Sequence, residues 1–251
     1  MTGRCGRMMI NSRLVSADLL SIPENGSAIV LGASGGLGRA FSDQIQITKH
    51  FVDVLELSRT SRPPIELEDE TSLACAAEHA SALGDIRLVI DATGFLHDGN
   101  QGPEKSLRDI DPTMLGRAFA INAIGPALIM KHFLPLLPRS GKAVFATISA
   151  RLGSISDNHL GGWYGYRASK AALNQLVHTA AIELKRLRPD AICVALHPGT
   201  VDTPLSRPFR GKGLTIQSPT AAAEKLITVI NQLKPHQSGA FVDWRGSPVP
   251  W

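Results

Sequence analysis

The sequence predicts an α/β fold, a single-domain Rossmann-like doubly wound parallel sheet of about seven strands flanked by helices on both faces. Three observations predict it. Short apolar runs rich in Val and Ile alternate with longer amphipathic stretches, the pattern of successive βαβ units. The short runs are apolar throughout, as strands covered on both faces require. The first of them leads directly into a glycine-rich turn and a helix start, Ser27-Ala-Ile-Val-Leu-Gly32-Ala-Ser-Gly-Gly36-Leu-Gly38.

In order, strands are predicted at Ser27–Leu31, Val52–Leu57, Arg87–Asp91, Lys142–Ser149, Ala191–Leu196 and Ala240–Val242, with a further short one near Ile65–Leu67. Each of these runs has the length of a strand and ends at a turn or helix signal. Helices are predicted at about Gly36–Ile47, Thr71–Leu83, Pro112–Leu137, Trp163–Leu187 and Pro219–Leu233. Residues 203–218 carry Pro204, Pro208, Gly211, Gly213, Arg207, Arg210 and Lys212 after a strand end. They read as a mobile loop placed to act as a lid. Residues 1–26 read as a partly disordered N-terminal extension before one domain spanning 27–251.

Composition narrows the function classes. Of the 251 residues 43% are hydrophobic and 19% charged, enough apolar material for a core and too little charge for a disordered chain. The net charge is +4, but Lys and Arg form no block or aromatic-interleaved stripe, so no nucleic-acid partner is expected. No run of 18 or more apolar residues occurs, so no membrane association is expected. Three scattered cysteines give neither a metal pair nor a disulfide framework. The location expected is cytoplasmic. The eight histidines show no ligand spacing, and no metal site is expected.

The glycine turn carries the first chemical signal. Gly32, Gly35, Gly36 and Gly38, with Ser34 and Leu37 between them, bring backbone close to whatever binds there, because a Cβ would block the approach. The free N–H groups and dipole of the following helix favour an anion such as a pyrophosphate. The spacing is G-x-x-x-G-x-G.

Four further motifs follow: Asp91-Ala-Thr-Gly94, Asn122-Ala-Ile-Gly125, Tyr166-Arg-Ala-Ser-Lys170 and His197-Pro-Gly-Thr-Val-Asp-Thr203-Pro. In this order they resemble the short-chain dehydrogenase/reductase family over the chain from about Ser27 onward. The segment Ser149–Lys170 and the tail Gly239-Ala-Phe-Val-Asp-Trp-Arg-Gly, with Trp251, are similar to its C-factor-like (sniffer-like) carbonyl reductase branch. The resemblance implies an oxidoreductase moving a hydride between NADP(H) and a small carbonyl or alcohol, assembled as a homodimer or homotetramer. The alternative is a catalytically weak nucleotide-binding regulator or signalling protein on the same fold.

Tyr166 and Lys170 stand four residues apart, one turn along one helix face. A free phenol, with a pKa near 10, is a poor proton shuttle at neutral pH, and an adjacent ammonium favours its ionised form. Carbonyl reduction needs a proton donor beside the oxygen that becomes an alkoxide, and Tyr166 supplies that type of group. Tyr164 is the competing tyrosine; the spacing to Lys170 selects Tyr166. By resemblance, Lys170 also bonds the nicotinamide ribose, and Asn122 holds a water linking Lys170 to solvent. The family places its serine three residues before a glycine, where this chain has Ala150 before Gly153. Ser149, one residue earlier, is the first candidate for the hydroxyl, and Ser154 the alternative.

After the second strand comes Glu56-Leu-Ser58-Arg59. If Ser58 ends the strand, Arg59 is poised for the 2′-phosphate of NADP, with Arg62 assisting; if Glu56 ends it, its carboxylate suits the ribose of NAD. By resemblance, Glu66 and Leu67 flank the adenine, and Ala92, Thr93 and Gly94 line the cofactor channel. Pro198 and Gly199 turn the chain over the nicotinamide, and Val201 and Thr203 contact its amide. The family has Asn where Asp91 and Ala92 stand. Substrate-facing positions are expected at His97, Leu152, Trp163, Tyr164 and the loop after Pro204.

Overall fold

A computed structural model describes residues 18–98, 102–209 and 215–251. Six parallel strands form one sheet: β1 (Ser27–Leu31), β2 (Asp53–Leu57), β3 (Ile86–Asp91), β4 (Ala143–Ile148), β5 (Ala191–His197) and β8 (Phe241–Asp243). Their order is β2-β1-β3-β4-β5-β8, and every pairing is parallel. A separate parallel pair joins β6 (Thr200–Val201) to β7 (Ile216–Gln217).

Alternation along each strand divides the core. Ile29 and Leu31 join one buried cluster, and Ala28 and Val30 the other, because successive side chains leave opposite faces. The first cluster packs under α2 (Glu70–Ser81), α4 (Gly125–Phe133) and α5 (Tyr164–Leu187), and the second under α1 (Gly36–Thr48) and α6 (Pro219–Gln232). Leu19 and Ile22 are buried in the second cluster, so the end of the expected extension is part of the packed body. Residues 1–17 lie outside the described residues.

Two elements differ from expectation. No strand forms near Ile65–Leu67, which leaves six strands in the sheet. Pro63 and Pro64 have no N–H to offer a ladder. The next donors are already committed, Ile65 N–H to the Ser58 carbonyl (2.9 Å) and Glu66 N–H to Ser72 Oγ (2.7 Å). The helix expected over Pro112–Leu137 is broken. α3 (Pro112–Phe119) passes into a π segment at Ala120–Ile124 before α4 begins. Pro126 cannot donate to the carbonyl four residues earlier, that of Asn122, and Gly125 N–H reaches back to Ala120 instead. By length and composition the stretch Pro112–Leu136 passes as a membrane span. It nevertheless buries Asn122 fully and packs Ile129 and Phe133 into the sheet's core, as a core helix does.

The chain leaves β1 to one side for β2 and to the other for β3. The crevice at the carboxyl ends of β1 and β3 is therefore the topological switch point, where open α/β sheets take ligands.

Candidate active site

The glycine turn lies at that switch point. Gly32 has φ +79°, and a Cβ there would come within 3.0 Å of the Ala92 backbone. Its N–H and that of Ala33 donate to the Leu57 carbonyl at 2.8 and 3.1 Å, tying the turn to the end of β2. A Cβ on Gly38 would stand 2.1 Å from the Gly32 carbonyl oxygen, so only glycine lets α1 start so close. The first turn of α1 holds no acidic residue and no side-chain cap, leaving its amides available to an anion. Ser34 and Gly35 are exposed and Leu37 half-buried.

β2 ends at Leu57, with Ser58 next and buried. Glu56 accepts from Gln46 Nε2 at 3.1 Å on the α1 side. Arg59 is exposed immediately beyond. The strand thus ends between the two positions weighed from sequence, one residue before Ser58 and one after Glu56. Glu66 is exposed, and Leu67 packs against Gly125, where a Cβ would meet its own Cβ at 2.9 Å.

At the end of β3, Asp91 is fully buried. It accepts from Thr93 N–H (3.0 Å), Thr93 Oγ1 (2.6 Å) and Thr147 Oγ1 (2.7 Å). Ala92 and Thr93 are half-buried and Gly94 is exposed. A Cβ on Gly94 would lie 3.7 Å from Asn122 Oδ1 and 3.9 Å from Lys170 Nζ. Asn122 clasps Phe95, accepting its N–H and donating to its carbonyl, both at 2.8 Å, and donates to Ser169 Oγ at 3.1 Å. Its side chain is spent on this clasp, and Pro126 removes the amide that would bond its main-chain carbonyl in a regular α-helix.

On α5, Lys170 is 3% exposed and donates to the Ile148 carbonyl at 2.8 Å. Burial pushes its ammonium down to about 8, against an opposing upward pull from Asp91. Tyr166 is half-buried, and burial pushes its phenol up to about 12. Both shifts disfavour charge in a dry site. A positive charge brought beside the phenol acts in the opposite sense on Tyr166.

The serine candidates bond to groups other than Tyr166. Ser149 is buried and donates to Asn174 Oδ1 at 2.6 Å. Asn174 is eight residues along α5 from Tyr166, about 12 Å of helix. The contact with Asn174 turns Ser149 under α5. Ser154, also buried, accepts from Asp157 N–H at 3.2 Å. Neither contact brings a hydroxyl to Tyr166.

The segment after β5 closes the site from above. Gly199 has φ +76°, and a Cβ there would meet Gln217 Nε2 at 2.6 Å. Gln217 in turn donates to the Pro198 carbonyl. Val201 is buried, and Thr203 faces the glycine turn, since a Cβ on Gly36 would approach its Cγ2 to 3.1 Å. His197 is pushed down to about 4, chiefly by burial, and its Nδ1 accepts from Arg151 N–H at 3.2 Å. Of the expected lid, residues 210–214 lie outside the described residues. Its first part forms a short turn that carries Phe209.

Sequence reasoning expected His97, Trp163 and the loop after Pro204 to face substrate, but missed that they join into one wall around Tyr166. His97, Phe209, Trp163 and Tyr166 form a chain of edge-on rings, with centroids 5.2, 5.3 and 6.1 Å apart in turn. It missed Glu104 as well. This carboxylate is 8% exposed, and both its oxygens accept the Gly165 N–H at 3.1 to 3.2 Å. Its main-chain carbonyl accepts from Trp163 N–H at 2.5 Å. Glu104 and Tyr166 line one small cavity with Phe95, Leu96, Met114 and Ala118. The one sequence signal was Gly165 itself, where a Cβ would sit 2.8 Å from Glu104 Oε1.

Comparison with known proteins agrees with this architecture. A family model described as enoyl-(acyl carrier protein) reductase matches residues 47–238. The C-signal protein of Myxococcus xanthus is 37% identical over 147 residues, 58% of this chain and 84% of that protein. The 1-hydroxy-2-glutathionyl-2-methyl-3-butene dehydrogenase of Rhodococcus sp. (strain AD45) is 29% identical over 90% of this chain and 99% of its own. The crystal structure of an NADPH-bound carbonyl reductase from chicken fatty liver superposes with a TM-score of 0.81 at 24% identity, over 94% of this chain and 97% of that one. That last likeness establishes the fold. With the family model spanning most of the chain and the motifs gathered at one crevice, the protein belongs to the short-chain dehydrogenase/reductase family of oxidoreductases.

Proposed function

We propose that the protein is an NADP(H)-dependent reductase of small carbonyl compounds, running in reverse on the alcohols, with Tyr166 as proton donor and acceptor. The observation that carries this reading is the placement of Tyr166 and Lys170. They lie on one face of α5, and the ammonium is fixed on the Ile148 carbonyl beside Gly94 at the switch point.

The residues present fit a dinucleotide. A Cβ would fill the cradle at Gly32 and Gly36, and the α1 amides above it suit a pyrophosphate. Ser58 and Arg59 beyond β2 would hold the 2′-phosphate, with a charge-assisted bond from the guanidinium. Glu66 and Leu67 would flank the adenine. Ala92, Thr93, Gly94, Pro198, Gly199, Val201 and Thr203 would border the nicotinamide end. When bound, that nicotinamide supplies or accepts the hydride.

The chain's own residues manage the proton. Tyr166 Oη donates to the carbonyl oxygen as it gains negative charge, in the low-dielectric wall of Trp163 and Phe209. The Lys170 ammonium stabilises the phenolate that remains. A water on the Asn122 main-chain carbonyl, which Pro126 denies its α-helical donor, would serve the return path of the proton. The ring wall of His97, Trp163 and Phe209 excludes solvent and favours flat or apolar carbonyl compounds. Oxidation of NADPH on addition of an aldehyde and ketone panel tests the reading, and no oxidation with any of them contradicts it.

One observation favours a second reading, a catalytically weak nucleotide-binding regulator: Ser149 is turned to Asn174, and Ala150 stands before Gly153. Tight NADPH binding without turnover on the same panel would select it. The homodimer or homotetramer expected by resemblance would pair the exposed apolar sides of α4 and α5, and light scattering of the purified protein tests it.

A further inference from the structure

We propose that Asp91 is the buried counter-charge that holds Lys170 as an ammonium in the closed site. Asp91 touches neither cofactor nor substrate in this account; it is a positioning residue that acts through Lys170, and the inference rests on the role given to that lysine above.

The geometry puts the two groups across one strand end. Asp91 closes β3 and takes the Thr147 hydroxyl on β4, and the next residue on β4, Ile148, offers its carbonyl to Lys170 Nζ. The same Nζ approaches Gly94, at the other end of the short turn that Asp91 caps through Thr93. Both side chains are nearly excluded from water, Asp91 at 0% and Lys170 at 3% exposure. A lone charge of either sign would be costly there, and opposite charges offset each other.

The other charged and titratable groups packed around Lys170 are engaged elsewhere. Arg151, on the turn after β4, pairs with Asp157 at 2.5 Å. Arg167, on α5 itself, donates to the carbonyls of Gly162, Leu152 and Gly161. Glu104 is held on the Gly165 amide. His197, at the end of β5, accepts from Arg151. Tyr166 is the proton donor itself. Asp91 is therefore the buried carboxylate across the strand end from the ammonium, and its pull on Lys170 is upward, opposing burial.

An asparagine would keep an acceptor for Thr93 and a partner for Thr147 while removing the charge. The test is ¹⁵N NMR of the full chain labelled at lysine Nζ, with the Lys170 signal assigned by its loss in Lys170→Met. In Asp91→Asn the Lys170 titration midpoint is expected to fall by about one unit or more, a tenfold loss of ammonium at a given alkaline pH. The alkaline limb of kcat/KM for carbonyl reduction should move down in pH by the same amount, because activity is lost as Lys170 deprotonates. Thr147→Val removes the hydrogen bond but not the charge, and should leave the midpoint within roughly 0.3 unit. An unmoved midpoint in Asp91→Asn, or an equal shift in Thr147→Val, overturns the proposal. Should Asp91→Asn fail to fold, Asp91→Ser, whose hydroxyl can still bond Thr93 and Thr147, decides by the same Lys170 midpoint, and an unmoved midpoint overturns the proposal. These titrations read the pair even in a protein that reduces no carbonyl, so failure of the enzymatic reading and failure of this one are separate results.

Discussion

The glycine turn and the wall around Tyr166 are built by opposite means. The turn is local: at Gly32 and Gly38 an added Cβ would meet backbone atoms, those of Ala92 just after β3 and the Gly32 carbonyl oxygen. The wall is assembled from distant pieces. Glu104 reaches Gly165 across 61 positions, and Phe209 reaches His97 and Trp163 from beyond β6. The comparison teaches where rigidity and variation reside. The cofactor side is fixed by what the backbone permits, and the substrate side by which side chains meet.

Three substitutions probe that contrast, in falling order of effect. Gly38→Ala drives a methyl into the Gly32 carbonyl oxygen, from which an added Cβ would be 2.1 Å away. It should cost about 4 kcal/mol or more, enough to leave little folded protein, as thermal denaturation would show. A stable Gly38→Ala protein would mean that the turn adapts as side chains do. Glu104→Ala removes the carboxylate that accepts the Gly165 amide in the first turn of α5, whose Trp163 N-cap provides no side-chain cap. The expected loss is about 1 to 2 kcal/mol, with a fall in kcat larger than any rise in KM, since Tyr166 is the next residue along. Glu104→Gln should recover part of both. An unaltered kcat in Glu104→Ala would detach the wall from the position of Tyr166. Arg59→Ala should weaken NADPH roughly tenfold, about 1.4 kcal/mol, and NADH little, by fluorescence titration. Equal losses for the two would remove Arg59 as the reader of the phosphate.

The same contrast explains what was legible in the sequence. The α/β class, strands such as Ser27–Leu31 and the glycine turn follow from periodicity and from dihedral demands that few residues meet. The end of β2 is ambiguous between Ser58 and Glu56 in the sequence, and the structure puts it between them at Leu57, whose carbonyl receives the Gly32 and Ala33 amides. Ile65–Leu67 reads as a strand by composition, but its amides had already been claimed by Ser58 and Ser72. The break at Asn122 was in principle readable from Pro126, whose missing N–H falls four residues later. Ser149 shows the limit most sharply. A one-residue displacement at a strand end reverses the face, and only the contact with Asn174 reveals which face it took. Glu104 had no signature at all beyond the glycine it requires at position 165.

The central claim is that the Tyr166 hydroxyl moves the proton. Tyr166→Phe removes that one oxygen from a ring still held between Trp163 and α5. The measurement is NADPH affinity and carbonyl reduction on the same preparation of this variant. The account predicts an NADPH dissociation constant within about threefold of the parent, under 1 kcal/mol, and turnover reduced to background; turnover that survives in Tyr166→Phe with the cofactor still bound would contradict it.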